Sequence, residues 1–265
     1  MPTTKFDILG IGNAIVDVVA RADDQLGAVF RHDMRATGVH FPSLPLVGGA
    51  PTARCLILVT PDGQRTMNTF LGACVTLDES DVDAALVADA AVTYLEGYLF
   101  DPPAAQAAFR KAAAAAHAAG RQVALSLSDA FCVNRHRAAF RELVAGHVDI
   151  LFANETEITA LYERNSFEEA AEAVRGDVGL AVLTRSEAGS VILRGAETVE
   201  IAAEPTRLVD TTGAGDAYAA GFLTGLTAGK PLPMCGRMGS IAAAEVISHY
   251  GARPESDLKK LMAAL

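Results

Sequence analysis

The chain has 265 residues, of which 51% are hydrophobic, and its formal net charge is −10 at pH 7. A chain of this length can bury one substantial core, with room for a small appended unit. The acidic balance argues against nucleic acid as a partner, since no basic stripe is present, and no apolar run is long enough for a membrane span. We therefore expect a globular protein with neither a nucleic-acid nor a membrane partner.

The spacing of cysteine and histidine indicates neither a metal site nor a disulfide framework. The four cysteines are far apart and form no Cys-x-x-Cys pair, and the six histidines lack the spacing of a zinc site. Residues 1–5 contain no basic stretch that leads into a long apolar one, so we expect no secretory signal. Reduced thiols and a cytoplasmic location are the simplest expectation.

The first predicted element is a buried strand at residues 6–11, followed by Gly12, Asn13 and a β-branched segment at 15–19. Gly12 and the glycine two positions before it also fit the turn of a dinucleotide-binding unit. That unit needs a third glycine and a helix, whereas 15–19 has the composition of a strand, so the sequence disfavours it. Taken alone, Asp17 is explained as a solvated strand residue.

The next part of the chain predicts a helix at 30–37, an extended and Pro-containing stretch at 39–47, and a β-hairpin. The hairpin consists of strands at 54–60 and 65–71, joined by a Pro-Asp-Gly turn. Met67 lies on the second of these strands. Core packing explains this methionine about as well as contact with a ligand does.

From residue 80 onward, strands alternate with helices. Strands are predicted at 91–96, 122–127, 148–153, 180–184, 190–193 and 198–201, and helices at 81–90, 104–119, 134–145, 155–164, 167–175, 213–227, 234–249 and 255–264. This alternation predicts βαβ units, a doubly wound and mostly parallel sheet, and helices on both of its faces. Ligands of such sheets bind beyond the carboxyl ends of the strands. Asn154, Thr184 and Asp216 each lie at or after a strand end, so we expect them to converge.

A seven-residue segment, Asp-Thr-Thr-Gly-Ala-Gly-Asp at 210–216, runs directly into a predicted helix. Its glycines let the backbone turn N–H groups outward, and the first helical turn leaves further N–H groups unpaired. Because the helix dipole favours negative charge there, we predict an anion pocket made by the amides of Gly213, Ala214, Gly215 and Asp216. The Asp216 carboxylate lies beside that pocket and can accept a proton. An aspartate in the first turn of a helix is also common without any function.

This heptad matches the Asp-Thr-x-Gly-Ala-Gly-Asp signature of the PfkB/ribokinase family of sugar and nucleoside kinases, which the chain resembles over nearly its whole length. The resemblance implies a ribokinase-like α/β fold and transfer of the γ-phosphate of ATP to a primary hydroxyl, with Asp216 as the general base. Residues 10–17, Gly-Ile-Gly-Asn-Ala-Ile-Val-Asp, resemble the adenosine kinase-like branch most, which implies a nucleoside acceptor. A ribose- or fructose-type sugar kinase and a catalytically idle nucleotide-binding module remain as alternatives.

The resemblance also implies which residues contact the acceptor. In the family, a Gly-Asn…Asp element places its aspartate on hydroxyls of the sugar, and Gly12, Asn13 and Asp17 match that element. Met67 lies where relatives contact the substrate. We therefore expect these four residues to bind the nucleoside or sugar.

Asn154 and Glu157 resemble the family's Asn-x-x-Glu element, which aligns the phosphates and holds Mg²⁺ through water. One or two such side chains suffice, because Mg²⁺ keeps most of its waters. A capping box at the start of the predicted helix explains the same two residues without a ligand. The resemblance implies that Glu157 is the metal-linked residue.

Residues 184–189 resemble the family's Thr-x-Gly-x-x-Gly segment beside the nucleotide, although Ser186 replaces its middle glycine. Arg185 could supply positive charge there or lie on the solvated surface. The helix at 234–249 carries small residues where relatives seat adenine, and His249 either lines that slot or lies at the surface. The nucleotide-binding set implied in this way is Asn154, Thr184, Gly189, Thr211, Gly213, Gly215, Ala243 and His249.

One expected part of the family pattern is missing. We expect a single domain, 1–265, in which residues near 12–24 and 39–72 contribute strands to or near a small β lid. Several dozen residues of that lid are absent between Asp24 and Gln25. Either the protein carries a deletion or the natural chain is longer and a mobile segment has been left out; we favour the second, which an intact mass of 27.6 kDa would refute. Since lid strands of relatives often pair between subunits, a homodimer is also implied.

Overall fold

The computed structural model describes residues 4–11, 24–63, 65–263 and 265. The strands are β1 (Phe6–Ile11), β2 (Arg54–Val59), β3 (Arg65–Phe70), β4 (Ala90–Glu96), β5 (Gln122–Ser126), β6 (Ile150–Asn154), β7 (Leu180–Thr184), β8 (Ser190–Arg194) and β9 (Glu197–Ile201). The α-helices are α1 (Gln25–Ala36), α2 (Ala84–Ala88), α3 (Pro103–Ala118), α4 (Ala130–His147), α5 (Glu155–Tyr162), α6 (Phe167–Val174), α7 (Ala214–Thr227), α8 (Leu232–Val246) and α9 (Leu258–Met262). Within the described part of the chain, no helix is both long and apolar enough to cross a membrane.

The main sheet has the strand order β1-β4-β5-β6-β7-β8-β9. Strands β1, β4, β5, β6 and β7 pair in parallel, and β8 and β9 extend the sheet antiparallel. The central strands are apolar on both faces, as expected for strands covered by helices on either side. The predicted α/β fold with a mostly parallel sheet is confirmed.

Successive residues of β6 show how the sheet separates two hydrophobic cores. Leu151 and Ala153 pack in one core with α3, α4, α5 and α6. Ile150 and Phe152 face the other way and pack in a second core with α7 and α8. Side chains alternate between the faces of a strand, so both faces of the sheet must be covered. The predicted helices on both faces are therefore observed.

Four predicted helices begin at the wrong residue, because an aspartate N-cap was overlooked in each. The helix predicted from 30 begins at Gln25, after the N-cap Asp24. The helix predicted from 134 begins at Ala130, since the Asp129 carboxylate accepts from the amides of Phe131 and Cys132 at 3.1 Å each. The helices predicted from 81 and 255 begin at residues 84 and 258, after Asp83 and Asp257, which cap them in the same way.

The small β region contains the predicted antiparallel hairpin, β2–β3, as a separate two-stranded sheet. The lid residues expected at 12–23, and with them Gly12, Asn13 and Asp17, lie outside the described residues. Asp24 caps α1 by accepting from the Gly27 amide at 2.8 Å. The same carboxylate accepts from the Thr52 amide at 2.8 Å and the Thr52 hydroxyl at 2.6 Å, which fixes α1 to the segment that leads into β2.

Candidate active site

The carboxyl ends of the parallel strands meet the N-termini of α4 and α5 at one edge of the sheet. Asn154 at the end of β6 pairs in register with Thr184 at the end of β7. Asp216, in the first turn of α7, lies close enough for its charge to raise the pKa of Glu157 in α5. The structure thus brings Asn154, Glu157, Thr184 and Asp216 to the same edge.

The heptad loop turns into α7 at Gly213. This glycine has φ of 77°, and an added Cβ would lie 2.6 Å from the Cβ of Ala252, so both conformation and space require glycine. The amide of Ala214 donates to the Thr211 carbonyl at 3.3 Å, which corrects its predicted place among the free donors. For the amides of Gly213, Gly215 and Asp216, the described residues supply no backbone acceptor. These three remain available to an anion.

Asp210, the first residue of the heptad, is buried and holds this loop in place through hydrogen bonds. One carboxylate oxygen accepts from the Thr212 amide at 2.9 Å and the Thr212 hydroxyl at 2.6 Å, and the other accepts from the Gly251 amide at 3.0 Å. Burial alone would raise the pKa of Asp210, but these hydrogen bonds hold it below its usual range. An ionised Asp210 therefore joins the loop to the C-terminal segment. Sequence analysis assigned it no role.

Asp216 is exposed to solvent at the start of α7. Burial raises its pKa, and the positive charge of Arg65 acts in the opposite direction. A carboxylate with a raised pKa accepts a proton more readily near neutral pH than an ordinary aspartate does. Asp216 therefore has the environment of a general base.

Arg65 reaches the heptad from the hairpin and was missed by sequence analysis. Its guanidinium donates to the hydroxyl of Thr211, which itself donates to the carbonyl of Gly63 at 3.4 Å. Side chains alternate along β3, so Met67 shares the face of Arg65 and is turned toward the site. The signal that could have found Arg65 is the net charge: an acidic protein that binds phosphate needs a local cation.

Asn154 and Glu157 form a capping box, as the alternative without a ligand predicts. The Asn154 amide donates to Glu157 at 2.8 Å, the Asn154 side-chain nitrogen donates at 2.7 Å, and the Glu157 amide donates back to Asn154 at 2.9 Å. Glu157 is only 6% exposed. Burial raises its pKa to about 7, against the Asn154 hydrogen bond and with help from the charges of Asp129 and Asp216. A capping box needs only Asn154 and Glu157, so capping does not explain why the carboxylates of Asp129 and Asp216 are also near Glu157.

The acidic environment of Glu157 fits a magnesium ion held through water. Within the described part of the chain, no three His, Cys, Asp or Glu side chains are placed to hold a metal ion directly. Mg²⁺ commonly keeps several waters and uses one or two carboxylates together with substrate phosphates. The donor set around Glu157 is therefore of the right kind, and Asn154 orients it.

The pKa of Glu157 leads to a prediction about pH and stability. The folded state binds this proton more tightly than the unfolded state does, so the stability that Glu157 contributes is lost as pH rises from about 4.5 to about 7. We expect Glu157→Gln to have a higher Tm than the native protein at pH 8, and the gain to shrink at pH 5. Thermal melts in EDTA at both pH values test this, with the surface variant Glu172→Gln as control; an equal shift at both pH values would contradict it.

Two further predicted nucleotide contacts lie far apart in the chain, Gly189 in the turn before β8 and Ala243 on α8. Gly189 has φ of 84°, and an added Cβ would meet the Ile201 carbonyl at 2.0 Å, so this turn needs glycine. Arg185 lies 3.4 Å from Glu155 and 3.7 Å from Glu168, as a solvated surface residue would. Ala243 is half-buried on α8 and packs against the second core.

His249 is mostly buried and contacts residues close to it in the chain. Its side chain is 13% exposed, and its ring nitrogens lie 3.4 Å from the carboxylate of Glu245 and 3.3 Å from the carbonyl of Tyr250. Glu245 also accepts from the amides of Glu255 and Ser256 at 2.9 and 2.7 Å. These contacts hold residues 249–256 together around Glu245, and nucleotide binding by His249 stays a prediction.

Ser186 has φ of 50°, a conformation that glycine adopts without strain. Ser186, which replaces the glycine of the family pattern, therefore has a strained backbone conformation. We expect Ser186→Gly to raise the free energy of unfolding by about 1 kcal/mol. Urea denaturation measures this, and Ala188→Gly in the same turn, which lacks a positive φ, should lower stability instead. A loss of stability in both variants would contradict the prediction.

Comparison with known proteins identifies the class to which this fold and site belong. The model of the family described as "pfkB family carbohydrate kinase" matches residues 16–259. The chain is 50% identical to the adenosine kinase from Sinorhizobium meliloti, with a TM-score of 0.89, over 98% of this chain and 76% of that one. It is 40% identical to a "probable sugar kinase protein" from Rhizobium etli, with a TM-score of 0.94, over 99% of each chain. The chain belongs to the pfkB family of carbohydrate kinases.

The first curated relatives match shorter segments. The cytidine kinase from Thermococcus kodakarensis is 37% identical over 120 residues, which are 44% of this chain and 43% of that protein. The chain therefore spans less than half the length of the first curated relatives it matches. The resemblance inferred from the heptad is confirmed, and the structural neighbours include both adenosine kinases and sugar kinases.

Proposed function

We propose that the protein is an ATP-dependent phosphotransferase that moves the γ-phosphate of ATP to a primary hydroxyl of an adenosine-like nucleoside. The proposal is carried by the heptad loop: Asp216 is in the first turn of α7, next to amides for which the described residues supply no backbone acceptor. The 50% identity to an adenosine kinase over 98% of the chain supports a nucleoside as acceptor.

In the proposed reaction, the acceptor oxygen attacks the γ-phosphorus, and the bond from that phosphorus to the β,γ-bridging oxygen breaks. The hydroxyl proton passes to Asp216, and ADP leaves with the electron pair. Because the transition state of phosphoryl transfer is loose, the proton moves late. A carboxylate such as Asp216, whose pKa is raised by burial, can therefore serve as the base.

Charge that grows on the transferred group meets fixed donors at the heptad. The amides of Gly213, Gly215 and Asp216 are such donors, and Arg65 adds a full positive charge from the hairpin. Mg²⁺, when bound with ATP, would neutralise part of the phosphate charge. Glu157, oriented by Asn154, would hold that ion through water.

The remaining contacts with the acceptor and the nucleotide are proposed from the positions of these residues in the chain and in the fold. Met67 would contact the acceptor from the hairpin, together with Gly12, Asn13 and Asp17, which lie outside the described residues. The proposed nucleotide contacts are Asn154, Thr184, Gly189, Thr211, Ala243 and His249. Of these, Thr211 is held by Arg65 and Gly63, which links the nucleotide side of the cleft to the hairpin.

A sugar kinase is the second candidate, favoured by the 99% mutual coverage with the Rhizobium etli protein. Acceptor-dependent formation of ADP with Mg-ATP separates the two, using adenosine, cytidine, ribose and fructose as acceptors and mass spectrometry to identify the product. A phosphorylated nucleoside supports the proposal, and a phosphorylated sugar alone supports the second candidate. ATP binding with no turnover on any acceptor would identify an idle nucleotide-binding module.

The outer face of the hairpin supports the expected homodimer. Leu56, Leu58 and Phe70 lie on the face opposite Arg65 and are exposed, and exposed apolar patches often mark interfaces. We expect Leu56→Lys with Leu58→Lys to shift a dimer to monomer in light scattering. We also propose that the natural chain contains the lid segment that is absent between Asp24 and Gln25. This agrees with the comparison to the adenosine kinase, of which the present chain covers only 76%.

A further inference from the structure

An ion pair joins α1 to residues 249–256, the C-terminal segment. The Arg253 guanidinium donates from Nη1 to Oδ2 of Asp33 at 2.9 Å, although the two residues are 220 positions apart in the chain. Both side chains are partly exposed, 47% for Arg253 and 32% for Asp33, and such pairs contribute little to stability. The two segments that the pair joins, however, each lead to the candidate active site.

On one side of the pair, the neighbours of Arg253 hold the heptad loop. The Gly251 amide donates to the buried carboxylate of Asp210 at 3.0 Å. Ala252 packs against Gly213, where an added Cβ would lie only 2.6 Å from the Ala252 Cβ. A shift of the C-terminal segment would therefore move the turn at the start of α7.

On the other side of the pair, α1 leads to the hairpin. Asp24, the N-cap of α1, accepts from the amide and the hydroxyl of Thr52 at 2.8 and 2.6 Å, and Thr52 is buried two residues before β2. From the hairpin, Arg65 returns to the heptad by donating to the hydroxyl of Thr211. Contacts thus form a closed ring from the heptad through the C-terminal segment, the ion pair, α1 and the hairpin back to the heptad.

We propose that Arg253 and Asp33 are positioning residues, whose ion pair fixes the hairpin relative to the heptad loop and so holds Arg65 where its charge meets the transferred phosphoryl group. This inference rests on the proposed kinase activity, in which Arg65 stabilises the transition state. The hairpin is a sheet of its own and does not pair with the main sheet, so side-chain contacts must fix its place. A displacement of about 1 Å in a catalytic group can lower a rate substantially.

The test is Arg253→Gln, with Asp33→Asn as a second variant that breaks the pair from the other side. We expect each variant to lower kcat about fivefold, close to the most that an exposed ion pair can bias an equilibrium, with KM for ATP unchanged. In the Arg65→Gln background, neither change should lower kcat further, because the pair acts through Arg65. Asp33→Arg combined with Arg253→Asp restores the pair with its charges exchanged and should recover most of the lost activity.

Hydrogen exchange measures the positioning without turnover. In Arg253→Gln, the amides of β3 and of the heptad loop should exchange about threefold faster, whereas those of β5 should exchange as in the native protein. The matched control is Arg110→Gln, which removes an exposed ion pair of 3.3 Å with Glu142 between α3 and α4. This control should leave both kcat and the exchange of β3 unchanged, and all variants should keep a Tm close to the native value.

Three results would each overturn the inference. They are exchange at native rates in Arg253→Gln, a loss of kcat that persists in full in the Arg65→Gln background, and no recovery of activity in the charge-exchanged pair. If the native protein phosphorylates an acceptor and Arg253→Gln does so equally well, only the positioning role fails. If the native protein binds ATP and phosphorylates no acceptor, the proposed function fails and the positioning role falls with it.

Discussion

Asp216→Asn is expected to lower kcat by about 10² to 10⁴-fold, the usual contribution of a general base. Asparagine preserves the size and polarity of the side chain but cannot take the proton of the acceptor hydroxyl. ATP should still bind, because the amides at the start of α7 belong to the backbone. Steady-state kinetics on whichever acceptor the native protein phosphorylates, together with calorimetric titration of ATP, measures both quantities.

The control for Asp216→Asn must separate base catalysis from loss of a favourable charge at a helix N-terminus. Glu169→Gln removes a carboxylate from the first turn of α6 and should leave turnover unchanged. Because burial raises the pKa of Asp216, its charged form is disfavoured in the folded protein, and the asparagine variant should be at least as stable as the native one. Undiminished turnover in Asp216→Asn would remove Asp216 from the mechanism.

Arg65→Gln is expected to lower kcat by about 10² to 10³-fold, the range found when one preorganised donor to a developing charge is removed. Arg65 contacts Thr211 and lies within electrostatic reach of Asp216, so its charge is available to the transferred phosphoryl group. The loss should exceed any rise in KM for the acceptor, since the charge acts mainly in the transition state. The measurement is the ratio of kcat and KM between variant and native protein.

Arg54→Gln is the matched control for Arg65→Gln. Arg54 lies on the opposite face of the same hairpin, where its guanidinium stacks 5.3 Å from the ring of Phe70. We expect this variant to lose less than about twofold in kcat, as is usual for an exposed cation outside a site. Equal losses in the two variants would mean that the hairpin tolerates no change of charge, and that Arg65 has no specific role.

Features encoded by neighbouring residues were predictable. The alternation of β-branched runs and helical stretches predicted the mostly parallel sheet, because such patterns reflect burial on one or both faces. The Asn154–Glu157 capping box could be written down from a spacing of three residues, and the structure forms it. The starts of α1, α2, α4 and α9 were missed although each has a local signal, an aspartate N-cap.

Features that join distant residues were not predictable. Arg65 and Thr211 are 146 residues apart, and the contact between Asp210 and Gly251 spans 41 residues. Nothing in the sequence near Arg65 distinguishes it from Arg54, since both begin strands of one hairpin. Only the packing of that hairpin against the heptad loop gives the two arginines different surroundings.

The sequence by itself determined the class of fold, the loop that enters α7 and the identity of the candidate base, because backbone conformation, capping and helix dipoles act over a few residues. The tertiary structure decided which cation lies within electrostatic reach of that base, and how burial raises the pKa of Asp216 and, together with neighbouring carboxylates, that of Glu157. These properties depend on charges and desolvation contributed by segments far apart in the chain. They exist only once the sheet has brought its strand ends to one edge.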